Sequence, residues 1–257
     1  MRSIVTRTIA FAAVAAVLTV SAQAQQQPGM RPPVGGVASP KDAMIFFMAH
    51  GPADSCGKGC ADWAVAEGSV QWDTHKRLFA FVDRHPGLKL SVAVDTWGDA
   101  NLDVAASLGR IIRDRGLSTT VGMTYPQICA RETESACFEL KRTASTPLNS
   151  ELHVTRLHCD LACLLILSGG VRRTIPRDTK LKISGTEIFN RFGASVSEQR
   201  REGLTTFYSD RTRRYFAEMG IDPEIMDMLK RANDSPRAIE LPASEWTRLR
   251  LVTDAAP

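Results

Sequence analysis

The sequence predicts an α/β fold, a layered domain of repeated strand-helix units, and three observations predict it. Residues 88–94 (LKLSVAV) form an apolar run that leads through Asp95, Thr96, Trp97 and Gly98 into an amphipathic stretch at 102–115, the order of a strand, a turn and a helix. Residues 117–123 repeat the strand-like pattern after Gly116. Two amphipathic helical stretches occupy the last quarter of the chain, and strands alternating with helices build layered α/β domains.

Each element has a local reason. Residues 43–49 (AMIFFMA) have the length and composition of a buried strand. A loop rich in Gly and Cys follows around Cys56, and Trp63 and Trp72 frame a short region before Thr74 caps a helix with Leu78, Phe79 and Val82 on one face. His85, Pro86 and Gly87 stop that helix. After the 117–123 run the periodicity vanishes. Residues 125–157, dotted with Pro126, Pro147, Asn149 and charged side chains, are expected to form a long surface insertion pinned by Cys129 and Cys137. Then comes CDLACLLILSGGVRR (159–173), an apolar run closed by Gly169 and Gly170. Residues 180–184 (KLKIS) alternate like a half-exposed strand. Residues 196–219 read as a long amphipathic helix ended by Gly220. Asp222 and Pro223 suit the N-cap and first position of the next helix, whose Ile225, Met226 and Leu229 share a face. Residues 239–241 and 251–253 read as short terminal strands.

The N-terminal segment sets an expectation about compartment. Arg2 and Arg7 precede an unbroken apolar stretch at 9–18, too short for a comfortable membrane span, and Ala22, Gln23 and Ala24 supply a small-x-small cleavage pattern. Residues 1–24 are therefore expected to be a signal peptide, and the mature chain periplasmic or secreted, without a membrane span. Residues 25–40, rich in Gln, Gly and Pro, are expected to be a disordered tether. Residues 41–257 have the length of one domain. Loss of the two leader arginines takes the formal net charge from +4 to +2. The remaining arginine pairs (Arg172 with Arg173, Arg200 with Arg201, Arg213 with Arg214) are scattered, so nucleic-acid binding is not expected.

Six cysteines form three close pairs: Cys56 with Cys60, Cys129 with Cys137, and Cys159 with Cys163. An even count in an oxidising compartment favours disulfides, and six cysteines allow 15 pairings. Local partners are preferred for Cys56 with Cys60, where Gly57 and Gly59 allow a tight turn, and for Cys129 with Cys137. Cys159 and Cys163 stay open, because an i, i+4 pair inside a regular helix has poor geometry for a bridge, and a bond to another segment is the alternative. A redox site would want a CxxC spacing, which is absent. A zinc site would want more ligands than His158 beside Cys159 provides, so no metal and no cofactor are expected.

Four pieces in order resemble the exported branch of the Clp protease and crotonase superfamily: CGKGCADW (56–63), the strand-turn-helix from 92 to 113 ending in LGRIIR, the CDLAC segment with its SGGVRR tail, and MGIDPEIMDML followed by LRLVT. The resemblance implies a Clp protease/crotonase-like fold. In that superfamily's serine peptidases the turn after the second strand reads Ser-Pro-Gly-Gly, whose N–H groups form an oxyanion hole; here Trp97, Gly98, Asp99 and Ala100 occupy it. The family's nucleophilic serine falls on Leu161, which has no nucleophilic atom, and its histidine on Ser184, which cannot act as the base. Its acid falls near 236–238, where there is none; Asp234 is close but unmatched.

The resemblance thus implies a degenerate site at Leu161, Ser184, Asp99 and Ala100, no serine-hydrolase activity, and a role in binding or scaffolding an unknown ligand or protein partner. Trp97, Gly98 and Asp160 are the candidate ligand cleft. The alternative is a hydrolase or other enzyme of the same fold with non-standard residues, Asp99 or Asp160 serving as acid or base. Self-association into a homo-oligomer is implied by the resemblance alone. Elsewhere the plainer readings are preferred: His50 ends a strand at the surface, His75 and His85 are solvated, His153 and His158 need not face the same way, Ser168 belongs to a helix-ending turn, and Trp63, Trp72 and Trp246 pack in the core or rim.

Overall fold

The computed structural model describes residues 40–87, 89–98, 100–154, 159–176, 181–183, 197–233 and 239–253. The expected leader, residues 25–39 of the expected tether, Asp99, His158, Ser184 and Asp234 lie outside the described residues.

A seven-stranded sheet runs in the order β5-β6-β1-β2-β3-β4-β7. Its strands are β1 (Ile45–His50), β2 (Asp62–Gly68), β3 (Ser91–Thr96), β4 (Ser118–Val121), β5 (Met123–Pro126), β6 (Leu148–His153) and β7 (Arg173–Thr174). The block β2-β3-β4-β7 is parallel, and β1 pairs with β2 in the antiparallel sense. A separate two-stranded sheet joins β8 (Leu181–Ile183) to β9 (Ile239–Leu241). The helices are α1 (Thr74–Arg84), α2 (Leu102–Asp114), α3 (Glu134–Thr143), α4 (Leu161–Ser168), α5 (Glu198–Glu218), α6 (Ile225–Asn233) and α7 (Ala243–Arg248).

Alternation along the central strands builds two cores. Ala64, Ala66, Val92 and Val94 face α1, α2 and α4 in the larger cluster. Trp63, Val65, Ala93 and Phe47 pack with Phe138 of α3 and with Leu148 and Leu152 of β6 on the other. α4 is apolar all round, and every one of its eight residues is buried, as such a helix must be. Glycines let it approach α2: a Cβ at Gly169 would collide with the backbone of Gly109. The far end of α4 is held by two arginines. Arg113 Nη2 donates to the carbonyls of Ser168, Gly170 and Met219, and the buried Arg173 donates to those same three and to Leu251 and Arg250.

Several expectations need correction. The stretch between Trp63 and Trp72 contains a central strand, β2, hidden from periodicity because both faces are buried. Thr74 does not cap α1; Asp73 stands at the N-cap, and the Thr74 hydroxyl accepts from the Gln71 N–H at 2.8 Å. Residues 125–154, the described part of the expected surface insertion, carry regular structure: they include the end of β5, a 3-10 turn at Gln127–Cys129, α3 and β6, so this segment extends the sheet and covers one face. Pro126, Pro147 and the charges mark its turns and its solvent side. No strand forms at 251–253. Leu251 and Val252 are buried behind α7, and the Thr253 N–H donates to the Arg173 carbonyl at 3.1 Å.

Cys56 pairs with Cys60, Cys129 with Cys137, and Cys159 with Cys163. The last pair closes locally because Cys159 precedes the N-cap Asp160 and so lies outside the helix, which brings the two Cα atoms to 5.1 Å.

Candidate functional site

The C-terminal end of β3, paired with that of β2, meets the N-terminus of α4, the place where open parallel sheets commonly bind ligands. β3 ends at Thr96, and the chain leaves through Trp97 and Gly98, the latter at φ +71°. Trp97 is half-buried and meets Phe138 of α3 edge-on, ring centroids 6.0 Å apart. Ala100 is buried, and Asn101 caps α2 by accepting from the Val104 N–H at 3.1 Å. Asp160 caps α4: its Oδ1 accepts from the Cys163 N–H at 3.0 Å and from the Thr96 hydroxyl at 3.2 Å. The structure therefore joins Asp160 to the strand end that leads into Trp97 and Gly98.

This junction is built for packing. Leu161 is 1 % exposed and sits at the first helical position with Ala162 behind it. The positive end of the α4 dipole, which would otherwise favour an incoming anion, faces the carboxylate of its own cap. The Cys159–Cys163 disulfide closes the chain around that cap.

The opposite face of the same strand ends holds a group of charges that sequence reasoning missed. Glu67 of β2 stands beside Asp95 of β3 in parallel register. Lys141 of α3 donates to both oxygens of Glu67, at 2.7 and 2.8 Å, and both side chains are almost wholly buried. Burial raises the Glu67 carboxyl above the ordinary range against the pull of Lys141. Asp95 is pushed up to about 7, first by burial and then by the Glu67 charge, with Lys141 pulling the other way. Two neighbouring carboxylates with one ammonium between them cannot both ionise cheaply, so one retains a proton. A carboxyl poised near neutrality can give or take a proton in a reaction.

A signal for these residues is present in the sequence but incomplete. Glu67 ends the run WAVAE and Asp95 the run LSVAVD, so both are acids closing apolar strands. Lys141 lies 74 residues from Glu67, in the segment read as an insertion, and nothing local pairs them.

The other sequence candidates are dispersed. His50 ends β1, exposed, with its ring 2.8 Å from the Asp62 carboxylate. His153 ends β6 beside Glu151. Trp63 and Trp246 are core residues, whereas Trp72 is 40 % exposed under the Lys76 ammonium. The Ser168 hydroxyl donates to the Leu165 carbonyl. All six thiols are spent in disulfides, and among the described residues no three His, Cys, Asp or Glu side chains group as metal ligands.

The fold and the disulfides together define a mixed α/β protein stapled as proteins of oxidising compartments are. Among the described residues no helix is long and apolar enough to cross a membrane. No family model and no curated protein matches the chain. A solved structure, a point-mutant form of the 1510-N membrane-bound stomatin-specific protease, matches at 11 % identity and a TM-score of 0.41 over 70 % of each chain. A likeness of that size supports no inference about activity.

Proposed function

We propose that this chain is an exported protein of the Clp protease/crotonase type that has lost the serine-hydrolase mechanism and works by binding or scaffolding. The observation that carries the reading is Leu161. At the position where the resemblance places a nucleophilic serine, a leucine is packed at 1 % exposure, and the N–H donor of Cys163 is taken by Asp160. A site that is to acylate needs a nucleophile; here Leu161 supplies none, and one donor of the helix start is already committed to Asp160. The ligand cleft is the turn at Trp97 and Gly98, the mature chain is a single periplasmic or secreted domain, and self-association follows from the same resemblance. A fluorophosphonate probe tests the reading on protein recovered after export: no stoichiometric label is expected. Stoichiometric labelling that disappears on substitution of one serine would falsify it. Light scattering that finds only monomer at high concentration removes the self-association.

A second reading, an enzyme of the same type with non-standard residues, is favoured by one observation. Asp95, with its carboxyl near neutrality beside the buried Glu67–Lys141 pair, is a better acid or base than Asp160, which is committed to capping. If that reading holds, any turnover found in an activity screen falls at least tenfold in Asp95→Asn and follows a single ionisation near pH 7.

A further inference from the structure

The other end of the parallel strands carries a pocket of about 160 Å³ between the last turn of α1 and the residues that lead into β3 and β4. Its floor is apolar: Ala64, Phe81, Val82 and Leu117, all buried. His85, Lys89 and Arg115 also line it.

Two helices end near this rim, so the basic residues must first be weighed as helix caps. That role is largely filled by the backbone. The His85 N–H donates to the Val82 carbonyl, the Gly116 N–H to Arg113 and the Leu117 N–H to Ile112. Arg115 gives one nitrogen, Nη2, to the Asp83 carboxylate at 3.1 Å and is 44 % exposed, so most of its five donors remain open. Lys89 is exposed and has no ion-pair partner among the described residues. Around an apolar floor there is thus one ammonium unpaired among the described residues and a guanidinium held by one nitrogen.

We propose that this pocket binds a small carboxylate with a compact apolar body, one ring or a short branched chain. The body rests on Phe81 and Leu117 and the carboxylate meets Lys89 and the open side of Arg115. The pocket lies below the roughly 300–1,000 Å³ that drug-sized ligands fill, which sets the size of the guest. Charge on both partners makes such hydrogen bonds about twice as strong as neutral ones, which sets its class.

Benzoate is a direct probe, with benzyl alcohol as the uncharged counterpart and acetate as the charge without the body. In amide NMR titrations of the whole protein, benzoate is expected to give saturable shifts at Phe81, Leu90 and Leu117, with benzyl alcohol and acetate each binding about tenfold more weakly or worse. The double variant Lys89→Gln with Arg115→Gln, two surface changes whose fold is checked by circular dichroism, should weaken benzoate by about tenfold or more. Absence of saturable shifts up to about 20 mM benzoate overturns the proposal. So does equal binding of benzyl alcohol, or an unchanged affinity in the folded double variant. Should that variant not fold, Lys89→Gln alone serves, and an unchanged affinity there has the same force.

Discussion

Asp95 and Thr96 are adjacent in β3 and face opposite sides of the sheet, and the two sides handle a half-buried carboxylate differently. On the α4 side, Asp160 accepts two hydrogen bonds, from the Cys163 N–H and the Thr96 hydroxyl, and is spent on fixing a helix. On the α3 side, Asp95 shares its surroundings with Glu67, and the ammonium beside them, Lys141, is bonded to Glu67 at both oxygens. The lesson is about partners rather than burial alone. A carboxylate with its own donors becomes structure, whereas one whose counter-charge is already taken retains a proton near neutrality and with it a capacity for chemistry.

The largest test of this contrast removes the shared cation. Lys141→Met should leave Glu67 buried without compensation and cost about 3–5 kcal/mol in urea unfolding. A loss below about 1 kcal/mol would mean that water already reaches Glu67. Next comes the packed position on the other side. Leu161→Ser should destabilise the fold by about 3 kcal/mol through the cavity and the buried hydroxyl, and should still give no fluorophosphonate label. A labelled Leu161→Ser protein would show that the rest of the hydrolase machinery is intact.

Asp95→Asn acts in the opposite direction. The native Asp95 carboxyl titrates at about 7 and the unfolded one at 3.8, so between those values the native state holds a proton that the unfolded state has released. Stability from this group is complete below about pH 4, falls as pH rises to 7 and is flat above. Asp95→Asn should therefore stabilise the protein at pH 7.5 by roughly 2 kcal/mol and flatten the stability profile between pH 4 and 7. An unchanged profile would remove Asp95 as the titrating group. The smallest effect is that of Asp160→Ala, about 1 kcal/mol for a lost N-cap, with Asp160→Asn recovering most of it. If Asp160→Asn is as damaging as Asp160→Ala, the carboxylate charge matters more than the cap.

The α4 side is largely legible in the sequence. The apolar run that begins at Leu161 is visible there, Gly169 and Gly170 signal its end, and the absence of polar side chains from 161 to 167 signals burial. The α3 side is not. β2 escapes a reading of the sequence because burial on both faces removes the alternation that marks a strand, and α3 escapes it because its buried positions, Cys137 and Lys141, do not look like an apolar stripe.

The sequence by itself pointed to the strand-turn-helix order and to the local pairs Cys56–Cys60 and Cys129–Cys137, since these depend on residues a few positions apart. Only the tertiary structure decided that Lys141 would meet Glu67 across 74 residues, that Arg173 would gather carbonyls from three segments, and that Asp95 would be left beside a carboxylate whose cation was already taken. Such pairings follow from which faces the sheet brings together, and a linear pattern of residues does not encode that directly.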